Sequence, residues 1–142
     1  MARTTDKKTG EQDPWEYAKG YYKNPDVIKG FEMLARYRPE VVTGYFRLRQ
    51  AAFNTGAGAA LDAKTKELVI LAIEIARTKT NPPPVGHAKR AIGSGATPAE
   101  IAEVASLCIL IGGMLTYQES GRFALEAAEK EYAAKTATRA KR

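Results

Sequence analysis

The stretch Leu61-Asp62-Ala63-Lys64-Thr65-Lys66-Glu67-Leu68-Val69-Ile70-Leu71-Ala72-Ile73-Glu74-Ile75-Ala76-Arg77 decides how the rest of the chain is read. Asp62 offers a side-chain acceptor to the amides of a first helical turn, so it reads as an N-cap. From Leu68 to Ile73 every position is apolar, and a helix that is apolar all round is expected at the centre of a helical protein. The helix is expected to stop near Lys79. Asn81-Pro82-Pro83-Pro84 removes three successive amide donors and drives the residue before each proline toward extended geometry.

Outward from this centre, turn and cap signals mark helices and no convincing strand. On the amino-terminal side, Asp13-Pro14 opens a first aromatic-rich helix, Trp15 to Tyr22, and Asn24-Pro25-Asp26 opens a second to about Tyr37. Both place proline just after a capping residue. Arg38-Pro39-Glu40 starts a third, to about Phe53, and Asn54-Thr55-Gly56-Ala57-Gly58 breaks it. On the other side, Val85 to Ile92 reads as a short helix closed by Gly93-Ser94-Gly95. Thr97-Pro98-Ala99-Glu100 is a capping box launching a helix through Ile111. After Gly112-Gly113, a last helix is expected from Thr116 to about Ala134. The expectation is an all-α fold of six to seven helices, without internal repeats.

At 142 residues, with 44% hydrophobic and 27% charged residues, the chain fits one ordinary globular domain. No stretch approaches the roughly 18 uninterrupted apolar residues of a bilayer span. The polar start lacks the apolar core of a secretory signal, so the expected location is cytoplasmic. The net charge of +6 belongs to the ends. Arg3, Lys7 and Lys8 against Asp6 leave +2, and Lys135, Arg139, Lys141 and Arg142 add +4. The division expected is a polar tail over 1–12, a helical domain over 13–133 and a basic tail over 134–142. The formally neutral body has no one-sided basic stripe for a phosphate backbone, which makes nucleic acid an unlikely partner. One cysteine, Cys108, and one histidine, His87, leave no intrachain disulfide and no cluster of soft metal ligands, so no structural metal site is expected.

His87 is the side chain whose unperturbed pKa lies nearest neutrality, and it sits at the exit of the proline loop, which suits a general acid or base. The plainer alternative is a histidine bonding a backbone group at a helix start. Glu67 and Glu74 are seven residues apart and differ by about 20° around the helix, so they share a face. Glu67, flanked by Lys64 and Lys66, could equally be a solvated carboxylate. Glu74 interrupts an apolar run and needs a partner, either a site histidine or Arg77 at i+3. Arg77, Lys79, Lys89 and Arg90 bracket the loop and could hold a substrate carboxylate, Arg77 and Arg90 by a bidentate fork. Among the amino-terminal aromatics, Trp15, Tyr17, Tyr21 and Tyr22, Trp15 and Tyr22 are candidates to line a site for a planar substrate. The alternative for all four is packing.

Four features in order resemble the carboxymuconolactone decarboxylase superfamily, which includes the alkyl hydroperoxidase D-like proteins. They are Lys66-Glu67-Leu68-Val69-Ile70-Leu71-Ala72, His87 after the loop, Gly95-Ala96-Thr97-Pro98-Ala99-Glu100-Ile101, and Ile111-Gly112-Gly113-Met114. The resemblance implies an alkyl hydroperoxidase D-like bundle that assembles as a trimer or hexamer. It also implies a site at His87 with Glu67 or Glu74. Peroxidase-type members carry Cys-x-x-Cys before the histidine, and those positions are Thr80 and Pro83 here, so no thiol peroxidase is expected. The implied activity is that of a cofactor-independent lyase, a decarboxylase of aromatic-compound catabolism. It would transfer a proton to a small unsaturated or aromatic-derived carboxylic acid or lactone. The alternative is a non-catalytic oligomeric ligand-binding or accessory subunit that has lost the redox cysteines.

Overall fold

The computed structural model describes residues 12–77 and 84–140. Their regular elements are helices joined by short turns and loops, with no β-strand among them. Seven helices follow in order: α1 (Pro14–Tyr21), α2 (Pro25–Ala35), α3 (Pro39–Ala52), α4 (Ala63–Ala76), α5 (Val85–Gly93), α6 (Pro98–Gly112) and α7. The last is built of an opening turn, Met114–Thr116, a π-helical turn, Tyr117–Gly121, and a long run, Arg122–Ala140. The chain divides into two compact units, Met1–Asn54 and Thr55–Arg142.

In the amino-terminal unit, α1 starts because Asp13 accepts from the amides of Trp15 and Glu16, and α2 because Asn24 accepts from that of Asp26. Phe46 is fully buried at the centre of an aromatic cluster. Trp15 and Phe31 meet it edge-on at 5.0 and 4.9 Å between ring centroids. The Arg49 guanidinium lies over Tyr21 at 3.9 Å and Phe53 at 4.5 Å. Tyr22 and Tyr45 share a hydroxyl hydrogen bond of 3.0 Å. Burial, then that bond, pushes the Tyr22 phenol above its ordinary value.

In the carboxy-terminal unit, α4 begins where Asp62 accepts from the Thr65 amide. It packs on α5, α6 and the π-helical turn. Leu71 and Ile75 are fully buried with Ala88, Ala91, Ile92, Ile101 and Ala105. Truncating either to alanine is a cavity-forming change of about 2–5 kcal/mol. The expectation of a helix buried on every face is corrected: Val69 and Ile73 are 46% and 50% exposed. The reason is geometric, because the packed partners of this unit meet the stripe through Glu67, Leu71 and Ile75, whereas Val69 and Ile73 lie off that stripe.

The capping box of α6 is complete. Thr97 Oγ1 accepts from the Glu100 amide, and Glu100 Oε2 accepts from the Thr97 amide. The other carboxylate oxygen, Oε1, takes Lys64 Nζ at 2.9 Å and so ties the start of α4 to the start of α6. Gly113 breaks α6 with φ of 77°, a left-handed conformation suited to glycine, and a Cβ on Gly112 would collide with the Thr116 hydroxyl. The last helix runs to Ala140, past the end expected near Ala134. Lys135 Nζ donates to the carbonyls of Ile92 and Gly93 at 2.8 and 3.1 Å, a cationic cap on the end of α5.

Candidate active site

α4 and α5 pack closely, and the contact brings His87 against both carboxylates of α4. His87 Nδ1 lies 2.6 Å from Glu67 Oε2. A carboxylate only accepts, so Nδ1 carries the hydrogen and donates it. The partners are 8% and 4% exposed, which makes this a buried polar contact. On the other side of the ring, Nε2 faces Glu74 Oε1 at 3.6 Å, too long for a direct hydrogen bond. Glu74 Oε2 is buried without a hydrogen-bond partner among the described residues. Glu67 Oε2 also accepts from Arg90 Nε at 3.4 Å.

The seven-residue spacing of Glu67 and Glu74 thus places one carboxylate at each ring nitrogen. Glu67, which could have been a solvated group, is the buried one, and Glu74 keeps 35% of its side chain exposed. Glu74 meets the histidine and not Arg77. Arg77 caps the end of α4 and is exposed. Arg90 lies on Glu67, a contact that the pattern of surface cations did not single out. Its signal was the i+3 step from His87, which puts both side chains on the α4 side of α5. Lys89 is exposed on α5 and Lys79 falls outside the described residues. Trp15 and Tyr22 pack in the aromatic cluster of the amino-terminal unit. Thr80 and Pro83, the positions of the missing cysteine pair, also lie outside the described residues. Cys108 is buried on α6, its thiol donating to the Ala72 carbonyl at 3.5 Å, and burial pushes its pKa above the ordinary value.

Two open grooves, of about 380 and about 290 Å³, run along α7. The first is lined by Glu131, Lys135 and Arg139, the second by Val85, Lys89, Phe123 and Lys130, and neither by His87 or its carboxylates. Among the described residues no group of three or more His, Cys, Asp and Glu side chains could hold a metal ion. No helix among them is long and apolar enough to cross a membrane.

An all-α bundle that buries a histidine between two helix-borne carboxylates defines the class of protein in hand. Residues 39–130 match the carboxymuconolactone decarboxylase family, and the chain belongs to that family. It is similar to a protein of Burkholderia xenovorans LB400 provisionally named a carboxymuconolactone decarboxylase. The two are 32% identical with a TM-score of 0.64, over 75% of this chain and 82% of that one. It is also similar to a carboxymuconolactone decarboxylase family protein of Legionella pneumophila, at 29% identity and a TM-score of 0.62, over 85% of this chain and 99% of that one. No curated protein matches the chain.

Proposed function

We propose that the chain is a cofactor-independent proton-transfer enzyme of the carboxymuconolactone decarboxylase type, acting on a small unsaturated or aromatic-derived carboxylic acid or lactone. The observation that carries this reading is the buried 2.6 Å contact between His87 Nδ1 and Glu67 Oε2. A base whose far nitrogen is fixed by a carboxylate is the base-and-orienter arrangement of proton-transfer sites. With its hydrogen held on Nδ1, the ring exchanges protons at Nε2, beside Glu74.

In the decarboxylation of an unsaturated lactone acid, the bond from carbon to the carboxylate breaks and carbon dioxide leaves. The electron pair spreads into the conjugated system, and His87, doubly protonated before the step, delivers its Nε2 hydrogen to the carbon that receives the pair. The ring is left with Nδ1–H on Glu67 and is recharged by a proton that Glu74 relays from solvent, which its part-exposed carboxylate reaches. Isomerisation of a related compound uses the same atoms, with Nε2 first taking a proton and then returning it. Arg77, exposed at the end of the same helix, is the cation proposed to hold the substrate's acid group.

The test is turnover of a panel of carboxymuconolactones and aromatic-derived acids by the wild-type protein and by His87→Ala and Glu67→Gln. General acid–base catalysis predicts a loss of about 10²–10⁴-fold in His87→Ala with the fold retained by circular dichroism. A panel that gives no turnover, together with ligand binding that survives His87→Ala, would favour the non-catalytic ligand-binding subunit.

A further inference from the structure

Gly86 stands in the first turn of α5, one residue before His87, and its backbone is ordinary helix that alanine would adopt more readily. Gly86 is exposed, and the side chain one turn ahead stands close to it. A Cβ placed on it would stand 3.2 Å from Arg90 Nη1, 3.5 Å from Nη2 and 3.7 Å from Cζ. A methyl group there would press on the end of the guanidinium, which would have to give by a few tenths of an ångström. From that seat Arg90 Nε reaches Glu67 Oε2, the same oxygen that accepts from His87 Nδ1. Glu67 has only 6% of its side chain exposed, against 29% for Arg90, so the cation stands between a buried carboxylate and solvent. A buried carboxylate requires compensation by charge and hydrogen bonds, and Arg90 supplies both.

We propose that Arg90 is a positioning residue for His87, with Gly86 as its seat. The guanidinium holds Glu67 Oε2 in the one place where it can accept from Nδ1, which keeps the ring hydrogen on Nδ1 and leaves Nε2 as the exchanging atom. This rests on the reading of His87 as the proton-transfer group, and it removes Arg90 from the cations available to a substrate carboxylate. It also accounts for a glycine in a helical turn whose backbone does not require one.

His87 is the chain's one histidine, so ring signals of 15N-histidine-labelled protein need no assignment and no substrate. Wild-type protein is expected to show the Nδ1–H tautomer with a slowly exchanging ring proton. Arg90→Met should accelerate that exchange about tenfold and mix the tautomers, and Arg90→Lys should restore part of the order by supplying charge without the planar fork. Gly86→Ala should shift the ring signals part of the way toward the Arg90→Met spectrum while its thermal midpoint stays level or rises, because alanine favours the helix. Melting and circular dichroism of each variant separate these effects from unfolding. Ring signals unchanged in Arg90→Met would overturn the positioning role. Signals unchanged in Gly86→Ala would overturn the seat. A wild-type ring that lacks the Nδ1–H form is a different failure, that of the histidine reading itself.

Discussion

At the scale of single residues, the site turns on which side chains are buried together. His87 and Glu67 were both visible as candidates, and their chemistry followed from residue type. The depth of Glu67 did not, because two flanking lysines read as a solvated environment and the burial comes from the tertiary packing of α4. Cys108 is the opposite case, since an apolar helix already implied an inert thiol. In the structure that thiol is buried, bonded to a carbonyl and pushed up in pKa by burial, all of which lower its thiolate content. With no second cysteine in the chain, peroxide turnover supported by a dithiol reductant is expected to be absent. The assay is peroxide consumption with wild-type and Cys108→Ser protein, and turnover that disappears in the variant would contradict the expectation.

At the scale of elements, the junction of α4 and α6 is held by groups that titrate together. The Glu100 carboxyl lies below its usual range, first because Lys64 bonds to it and then because the Thr97 amide and hydroxyl do. A depressed carboxylate adds stability above its ordinary value near 4.5, and this contribution is lost as pH falls through the lower folded value. The gap in stability between wild-type protein and Glu100→Gln should therefore be open at neutral pH and close below about pH 4.5, as urea melts across that range would show. A gap that widens on acidification would reverse the sign of the argument. The cap itself is tested by Thr97→Ala, for which the expected cost is about 1 kcal/mol from urea denaturation. The box was legible in advance because Thr97 and Glu100 satisfy one another within four residues and Pro98 suits the first helical position. The Lys64 bridge was not, since its partner is 36 residues away.

At the scale of the whole molecule, the apolar surface asks for a partner. Leu110 is 79% exposed and Ile111 87%, and Leu107, Met114 and Leu115 continue the patch across the end of α6 and the start of α7. Contiguous apolar surface of this kind marks association sites. Self-association is accordingly the expected behaviour, with copies of the chain covering this patch, and multi-angle light scattering at micromolar concentration is the measurement. A monomer there would contradict it. Introducing charge, for example Leu110→Glu with Ile111→Glu, should shift the assembly toward monomer while leaving the buried core of α4, α5 and α6 intact.

What the sequence determined by itself is local in its physics. Capping boxes, prolines at first turns, a run of apolar residues and a seven-residue spacing of carboxylates act within a few residues, so helix identity, the all-α class and the shared face of Glu67 and Glu74 could be read directly. Helix ends depend also on distant contacts: α7 continues to Ala140, and Lys135 on it meets the carbonyls at the end of α5. The tertiary structure alone decided which carboxylate is buried, that Arg90 lies on Glu67, that Val69 and Ile73 are left half-exposed, and that a π-helical turn forms at Tyr117–Gly121. Each of these depends on where one helix rests on another, and no short-range pattern encodes that contact.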